Sequence, residues 1–254
     1  MMAEFDLESY MMHHMLDRHT WELPFLPPIQ LPEFLSLHGL MLILCAVILF
    51  VVFGLIYDKS SAAPRGITNF LEVFVLFVRD QIARPYLGEE DGRKMTPLFC
   101  TFFFFILFLN LLGLIPIFST ATSNINVTAG LALITLSFMV FGTIYKNGFK
   151  GFVHALIPSG VPTPILFLLV PIEIMGLLIK SFALMIRLFA NMLAGHIVII
   201  SLLGVVILLG AKALPTVLLA SFIYLLEVLV AFLQAYIFTL LSAMFVGQMY
   251  HPQH

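Results

Sequence analysis

The sequence predicts an all-α polytopic membrane protein: about five membrane helices plus one amphipathic helix, the last two membrane helices long and steeply tilted as an antiparallel hairpin. Three observations predict this. The 254 residues are 61% hydrophobic with a mean hydropathy of +1.07, and only 10% are charged, against about 25% in a soluble domain. Apolar runs at 38–57, 96–118, 127–145, 165–209 and 216–250 each reach the ~20 residues that a bilayer requires. The last two runs far exceed one perpendicular span, so consecutive antiparallel helices of that length must tilt. A net charge of −2 gives no footprint for nucleic acid.

Taken in order, residues 1–37 form an acidic, Pro-rich arm, with Glu4, Asp6, Glu8, Asp17, Glu22 and Glu33 against Arg18. Its acidic start is unlike a basic signal or transit peptide, so the first span is expected to direct insertion. His13 and His14 lack a third ligand at metal spacing and read as surface histidines. After the first span, Pro64 and Gly66 mark a turn. Phe70, Val73, Phe74, Phe77 and Val78, alternating with Glu72, Arg79 and Asp80, then read as an amphipathic helix at the interface or against the bundle. LGEEDGRK, 87–94, reads as a charged hinge. Asn110, inside the aromatic second span, is expected to make an interhelical hydrogen bond, with a polar pathway as the alternative. Residues 119–126 form an uncharged loop, and Lys146 to Lys150 close the third span. The 165–209 run is either one tilted helix or two segments meeting at a buried bend. Cys45 and Cys100 lie in apolar runs and read as packing residues.

Lys and Arg set the orientation. Six of the twelve (Lys59, Arg65, Arg79, Arg84, Arg93, Lys94) lie in 58–95, and Lys146 and Lys150 flank the next such loop. Residues 58–95 and 147–163 are therefore expected on the cytoplasmic side with the C-terminal tail, 251–254, and the arm and the 119–126 loop outside.

The chemistry concentrates in 164–250. Glu173, Lys180 and Arg187 are spaced seven and seven, a step that returns to nearly the same helix face, and Asn191 extends the stripe. Glu173 and Arg187 are roughly 21 Å apart along the axis, at about 1.5 Å per residue, so they cannot neutralise each other. A guanidinium stays charged and charge at membrane depth marks function; Arg187 needs an external anion. On the final helix Glu227 and Gln234 share a face, with Tyr236 nearby. His196, nine residues past Arg187, points to the opposite side. An imidazole, with a reference pKa of about 6.5, and a carboxyl at a second depth suit proton movement, and a permanent cation between two titratable groups makes a barrier with two access routes. Structural readings stand beside these: Gln234 and Tyr236 as packing glue, Lys180 as a snorkelling side chain, Glu173 and Lys180 as a water-bridged pair. An ion-coupled secondary transporter would show internal repeats, and none is visible. A haem subunit would need paired histidines, and His38, His154 and His196 do not pair at matching depth. A purely structural subunit leaves Arg187 unexplained.

At these residues the chain resembles subunit a of the F-type ATP synthase, the membrane stator of the Fo proton channel. The most specific match is RLFANMLAGH, 187–196, followed by LQAYIFTLL, 233–241, with NLLGLIP, 110–116, and NINVT, 124–128, in support. The resemblance implies that Arg187 faces the carboxylates of a rotating c-subunit ring. It implies that Asn191, His196, Glu227 and Gln234 line a channel from the outer side, and that Glu173 belongs to the cytoplasmic-side channel, with Lys180 and Tyr236 as possible pathway residues. Some members carry an acid where His196 stands and a histidine where Glu227 stands; here the pair is exchanged. Implied partners are the c ring, b-type peripheral stalk subunits and lipid. No cofactor, metal or substrate other than protons is expected, and no catalytic residue, since the ATP chemistry lies in other subunits. A bacterial inner membrane is expected ahead of an energy-transducing organelle membrane.

Overall fold

Ser36 ends the extended arm and starts the first helix: its hydroxyl accepts from Gly39 N at 3.2 Å, satisfying one donor of an otherwise open helix end. The computed structural model describes residues 20–21, 27–33, 35–56, 66–115, 117–157, 163–209 and 214–252. Helix α1, Leu37–Phe50, runs on as π-type turns over Val51–Ile56. α2, Ile67–Phe77, passes through π-type turns at Val78–Ala83 into α3, Arg84–Leu114. α4, Ile125–Ser137, joins α5, Thr143–Leu156, through a third π-type segment, Phe138–Gly142. α6 covers Thr163–Leu209 and α7 Leu214–Tyr250. Five helical stretches are long and apolar enough to cross a membrane, and the chain is an all-α, multi-pass membrane protein. The one departure among the described residues is a two-residue antiparallel pairing in the arm, β1 (Thr20–Trp21) with β2 (Ile29–Gln30).

One expectation is adjusted and two are made specific. The charged stretch 87–94 is helical on both sides of Gly88, where φ is 75°, so the hinge shrinks to one residue. Pairs one turn apart hold the flanks as helix, Arg84 to Asp80 at 2.8 Å and Lys94 to Glu90 at 2.7 Å, as such spacing does. The amphipathic segment packs on the bundle, with the Phe74 ring 6.0 Å from Phe103 and 6.3 Å from Phe104. The third span breaks within the expected Lys146–Lys150 stretch, at Gly148 (φ 73°), and helix resumes beyond it to Leu156.

The long apolar region resolves as a single helix. α6 has 47 residues, about 70 Å at 1.5 Å per residue, more than twice a ~30 Å hydrocarbon core. Pro171 lies inside it without ending it. Between α3 and α7 the core is aromatic, with Phe102 edge-on to Phe238 at 5.7 Å. At the other end Leu37, Met41, Cys45, Leu109 and Ala121 form a second buried cluster. The arm caps it: Trp21 Nε1 donates to the Ile117 carbonyl at 2.8 Å and its ring lies 6.2 Å from Phe118. Cys45 and Cys100 are free thiols, Cys45 donating to the Phe105 carbonyl at 3.6 Å. His13 and His14 lie outside the described residues.

Candidate functional site

The two halves of the predicted constellation separate onto two faces of α6. Arg187 is exposed, and among the described residues it has no ion pair. Elsewhere on the hairpin the exposed surface is apolar: Phe182 of α6 is 60% exposed, and Leu225 and Leu229 of α7 are each 68% exposed. Ala183, Ala190 and Ala194, also exposed, fall on Arg187's side of the helix by their spacing. A guanidinium thus stands on an apolar, lipid-like face without an anion.

The titratable groups lie apart from it: His196 on the opposite face of α6, and Glu227 on α7, against the α6 backbone at Gly195. The His196 ring is fixed at three points: Nδ1 lies 3.2 Å from the Met192 carbonyl, and Nε2 lies 3.1 Å from the Gly113 carbonyl and 2.5 Å from Thr120 Oγ1. Thr120 in turn donates to Gly113 O at 3.2 Å. Glu227 is buried, and its carboxylate lies where a Cβ on Gly195 would stand. A Cβ there would displace the carboxylate, so glycine lets α7 bring it against the backbone next to His196. Glu227 and His196 do not hydrogen-bond each other. Three polar atoms here are buried without a partner among the described residues: Glu227 Oε2, Asn191 Nδ2 and Gln234 Nε2. Such atoms are costly when dry, and here they gather on facing helices, α6 and α7.

This seam is extended by residues that periodicity does not reveal. Thr122 donates to the Oδ1 of fully buried Asn110 at 2.9 Å, so Asn110's partner lies in the loop rather than on another spanning helix. Asn124 lies 3.3 Å from His38 Nδ1, and Tyr224 donates to the Leu114 carbonyl at 3.2 Å. The uncharged 119–126 loop therefore folds inward as a polar plug between α1, α3 and α6. Its run of Ser, Thr and Asn was the available signal; Thr120 itself has no spacing that singles it out.

At the other end, Glu173 and Lys180 line one cavity of about 500 Å³ with Tyr86, Gln248 and His251. Lys180 Nζ donates to Gln248 Oε1 at 3.0 Å and lies 5.5 Å from the Phe245 ring centroid, so it is tied to α7 rather than to Glu173. Tyr236 packs its ring 5.7 Å from Phe77. Among the described residues no group of His, Cys, Asp and Glu could hold a metal.

Fold and site together define a multi-pass helical membrane protein with a polar seam at each end of a long hairpin and, between them, an exposed cation that has no ion pair among the described residues. The chain belongs to the ATP synthase A chain family, whose sequence profile matches residues 39–247. An ATP synthase subunit a of Anaeromyxobacter dehalogenans (strain 2CP-C) is 47% identical over 215 residues, 83% of this chain and 56% of its own length. That of Chloroherpeton thalassium is 45% identical over 259 residues, 95% of this chain and 77% of its own. That of Myxococcus xanthus is 44% identical over 237 residues, 91% of this chain and 78% of its own. The chain spans about half the length of the Anaeromyxobacter relatives that it matches.

Proposed function

We propose that the chain is the proton-translocating stator of an F-type ATP synthase, with two offset half-channels and an arginine barrier facing the carboxylates of a rotating c ring. The observation that carries this is Arg187, exposed beside Ala183, Ala190 and Ala194 and, among the described residues, without an ion pair. Facing lipid, a mid-helix Arg costs about 2.5–3.5 kcal/mol even on insertion scales. Facing a ring carboxylate, it has its anion.

Protons enter from the outer side past Asn191, His196, Glu227 and Gln234 and neutralise a ring carboxylate. The neutral carboxyl passes into lipid as the ring turns. Beyond Arg187 the proton leaves past Glu173 toward the cytoplasm, through the cavity that Lys180 also lines. Arg187 favours the ionised carboxylate and separates the two routes. Each charge crossing is worth about 2.3 kcal/mol per 100 mV, so ATP synthesis needs several. The subunit itself is non-catalytic. Residues 164–250 form the rotor-facing hairpin, 1–37 an outer arm, and b-type stalk subunits hold the assembly in a bacterial inner membrane, N-terminus outside and C-terminus cytoplasmic.

The test is ATP-driven acidification of inverted vesicles, comparing Arg187→Ala with the parent at equal complex assembly. Loss of pumping is the expected result. Pumping at the parental rate sinks the barrier reading and moves an ion-coupled transporter ahead of it.

A further inference from the structure

One cluster of titratable groups is not used by this scheme. His251, just past the end of α7, has Nε2 2.9 Å from Asp91 Oδ2, 3.1 Å from the Leu87 carbonyl and 3.1 Å from Lys146 Nζ. Lys146 also donates to Asp91 Oδ2, and its ammonium sits 5.0 Å from the Tyr250 ring centroid. Three elements meet here: Asp91 comes from α3, Lys146 from α5, and His251 from the end of α7. The same histidine lines the cavity that holds Glu173 and Lys180 of α6, together with Tyr86 of α3.

We infer that His251 is the proton-transfer residue at the cytoplasmic mouth of the exit cavity, held in a working tautomer by Asp91 and the Leu87 carbonyl. This rests on the stator reading above. Nε2 faces two acceptors, Asp91 Oδ2 and the Leu87 carbonyl, and one donor, the Lys146 ammonium; with that ammonium donating to Asp91 Oδ2, the two acceptors hold the ring hydrogen on Nε2. Nδ1 has no hydrogen-bond partner among the described residues, so its lone pair is free to accept. The side chain is half exposed, so it meets bulk water as well as the cavity. The cavity's about 500 Å³ has room for several waters, each needing only one probe sphere of space. A proton leaving the Glu173 carboxyl breaks its O–H bond and travels along that water. It forms an N–H bond at His251 Nδ1, and the resulting imidazolium releases a proton to bulk water. In the reverse direction the same ring gathers protons from the cytoplasm. Asp91 and Lys146 do not carry the proton. They are positioning residues, and their mutual ion pair keeps the Asp91 carboxylate charged and aimed at Nε2.

The experiment is proton conduction through F1-stripped inverted vesicles carrying the whole membrane sector. The flux is driven by a potassium diffusion potential, and the external pH, at the cytoplasmic face, is stepped from 6 to 8. His251→Gln keeps an amide donor toward Asp91 and Leu87 but does not titrate. Expected are a three- to ten-fold fall in flux, a flattened pH profile and recovery on adding imidazole as a diffusible acceptor. Asp91→Asn, which loosens the tautomer clamp, is expected to lower flux less and to shift the pH profile without imidazole dependence. A His251→Gln flux and profile equal to the parent's overturn the inference. So does a loss of flux with an unchanged profile and no imidazole response, which is what a merely structural tie between α3, α5 and α7 gives. Arg187→Ala separates the two readings: if it leaves ATP-driven pumping intact the stator reading has failed, whereas a normal His251→Gln beside a dead Arg187→Ala removes only the hand-off.

Discussion

At Gly195 a side chain would meet the Glu227 carboxylate, which occupies the space. Gly195→Ala is expected to push the carboxylate out of the seam and lower ATP-driven acidification several-fold at equal assembly. Overpacking a close contact typically costs about 1–3 kcal/mol, so folding survives. Pairing it with Glu227→Asp, which withdraws the carboxylate by one methylene, is expected to restore part of the flux. A double variant no better than the product of the two singles removes steric contact as the cause. The same paired test suits no other candidate, because Asn191 and Gln234 have unpartnered amides rather than a blocked backbone beside them.

Elements are held to one another by contacts far apart in sequence. Gly247 of α7 lies so close to the Tyr86 carbonyl that a Cβ would collide with backbone, which cannot swing away as a side-chain end can. Gly247→Ala is therefore expected to destabilise the chain by about 1–3 kcal/mol, read as a lower melting temperature in detergent. In the arm, Trp21 ties β1 to the Ile117 carbonyl. Trp21→Ala is expected to open the arm to limited proteolysis while the helices stay resistant. Equal digestion of the variant and parent arms counts against the tie.

How much of this the sequence disclosed follows from the range over which each feature is encoded. The spans were legible because an apolar run is a local property, and α6 and α7 announced their tilt by length alone. Arg187 and His196 fell on opposite faces as helical phase requires. Gly88 and the charges around it read as a hinge, because charge and glycine signal a break more loudly than i,i+4 pairs signal a helix. Thr120, Gly195 and His251 acquire meaning only through partners 76, 32 and 160 positions away, His196, Glu227 and Asp91 respectively. No periodicity within one element reports such pairings.

For the molecule as a whole, charge placement gives a topology that labelling can check. Asn126 and Lys150 are both exposed and lie at opposite ends of the α4–α5 stretch. A cysteine at Lys150 is expected to react with an impermeant maleimide in inverted vesicles only, and one at Asn126 in right-side-out vesicles only. The reverse pattern would falsify the assignment of the cytoplasmic face. Cys45 is buried and Cys100 half-buried in apolar surroundings, so the background labelling is low.

The largest question at this scale is what covers the apolar face of the hairpin. Lipid suits the exposed leucines of α7, Leu225 and Leu229, each 68% exposed, but not Arg187 on α6. Ala183, Ala190 and Ala194 beside it are the small residues that let another helix approach closely in a membrane. An indole placed there blocks a helix but not lipid tails. Ala190→Trp is thus expected to leave the chain inserted and thermally stable, while the ring no longer co-purifies at parental stoichiometry and proton pumping is lost. Phe141→Trp, at a site 69% exposed on the stretch between α4 and α5, is expected to change neither, since it enlarges an aromatic ring that the proposed rotor does not touch. If Ala190→Trp keeps both the ring and the pumping, the rotor does not dock on Arg187's face. The guanidinium would then need an anion from another membrane partner.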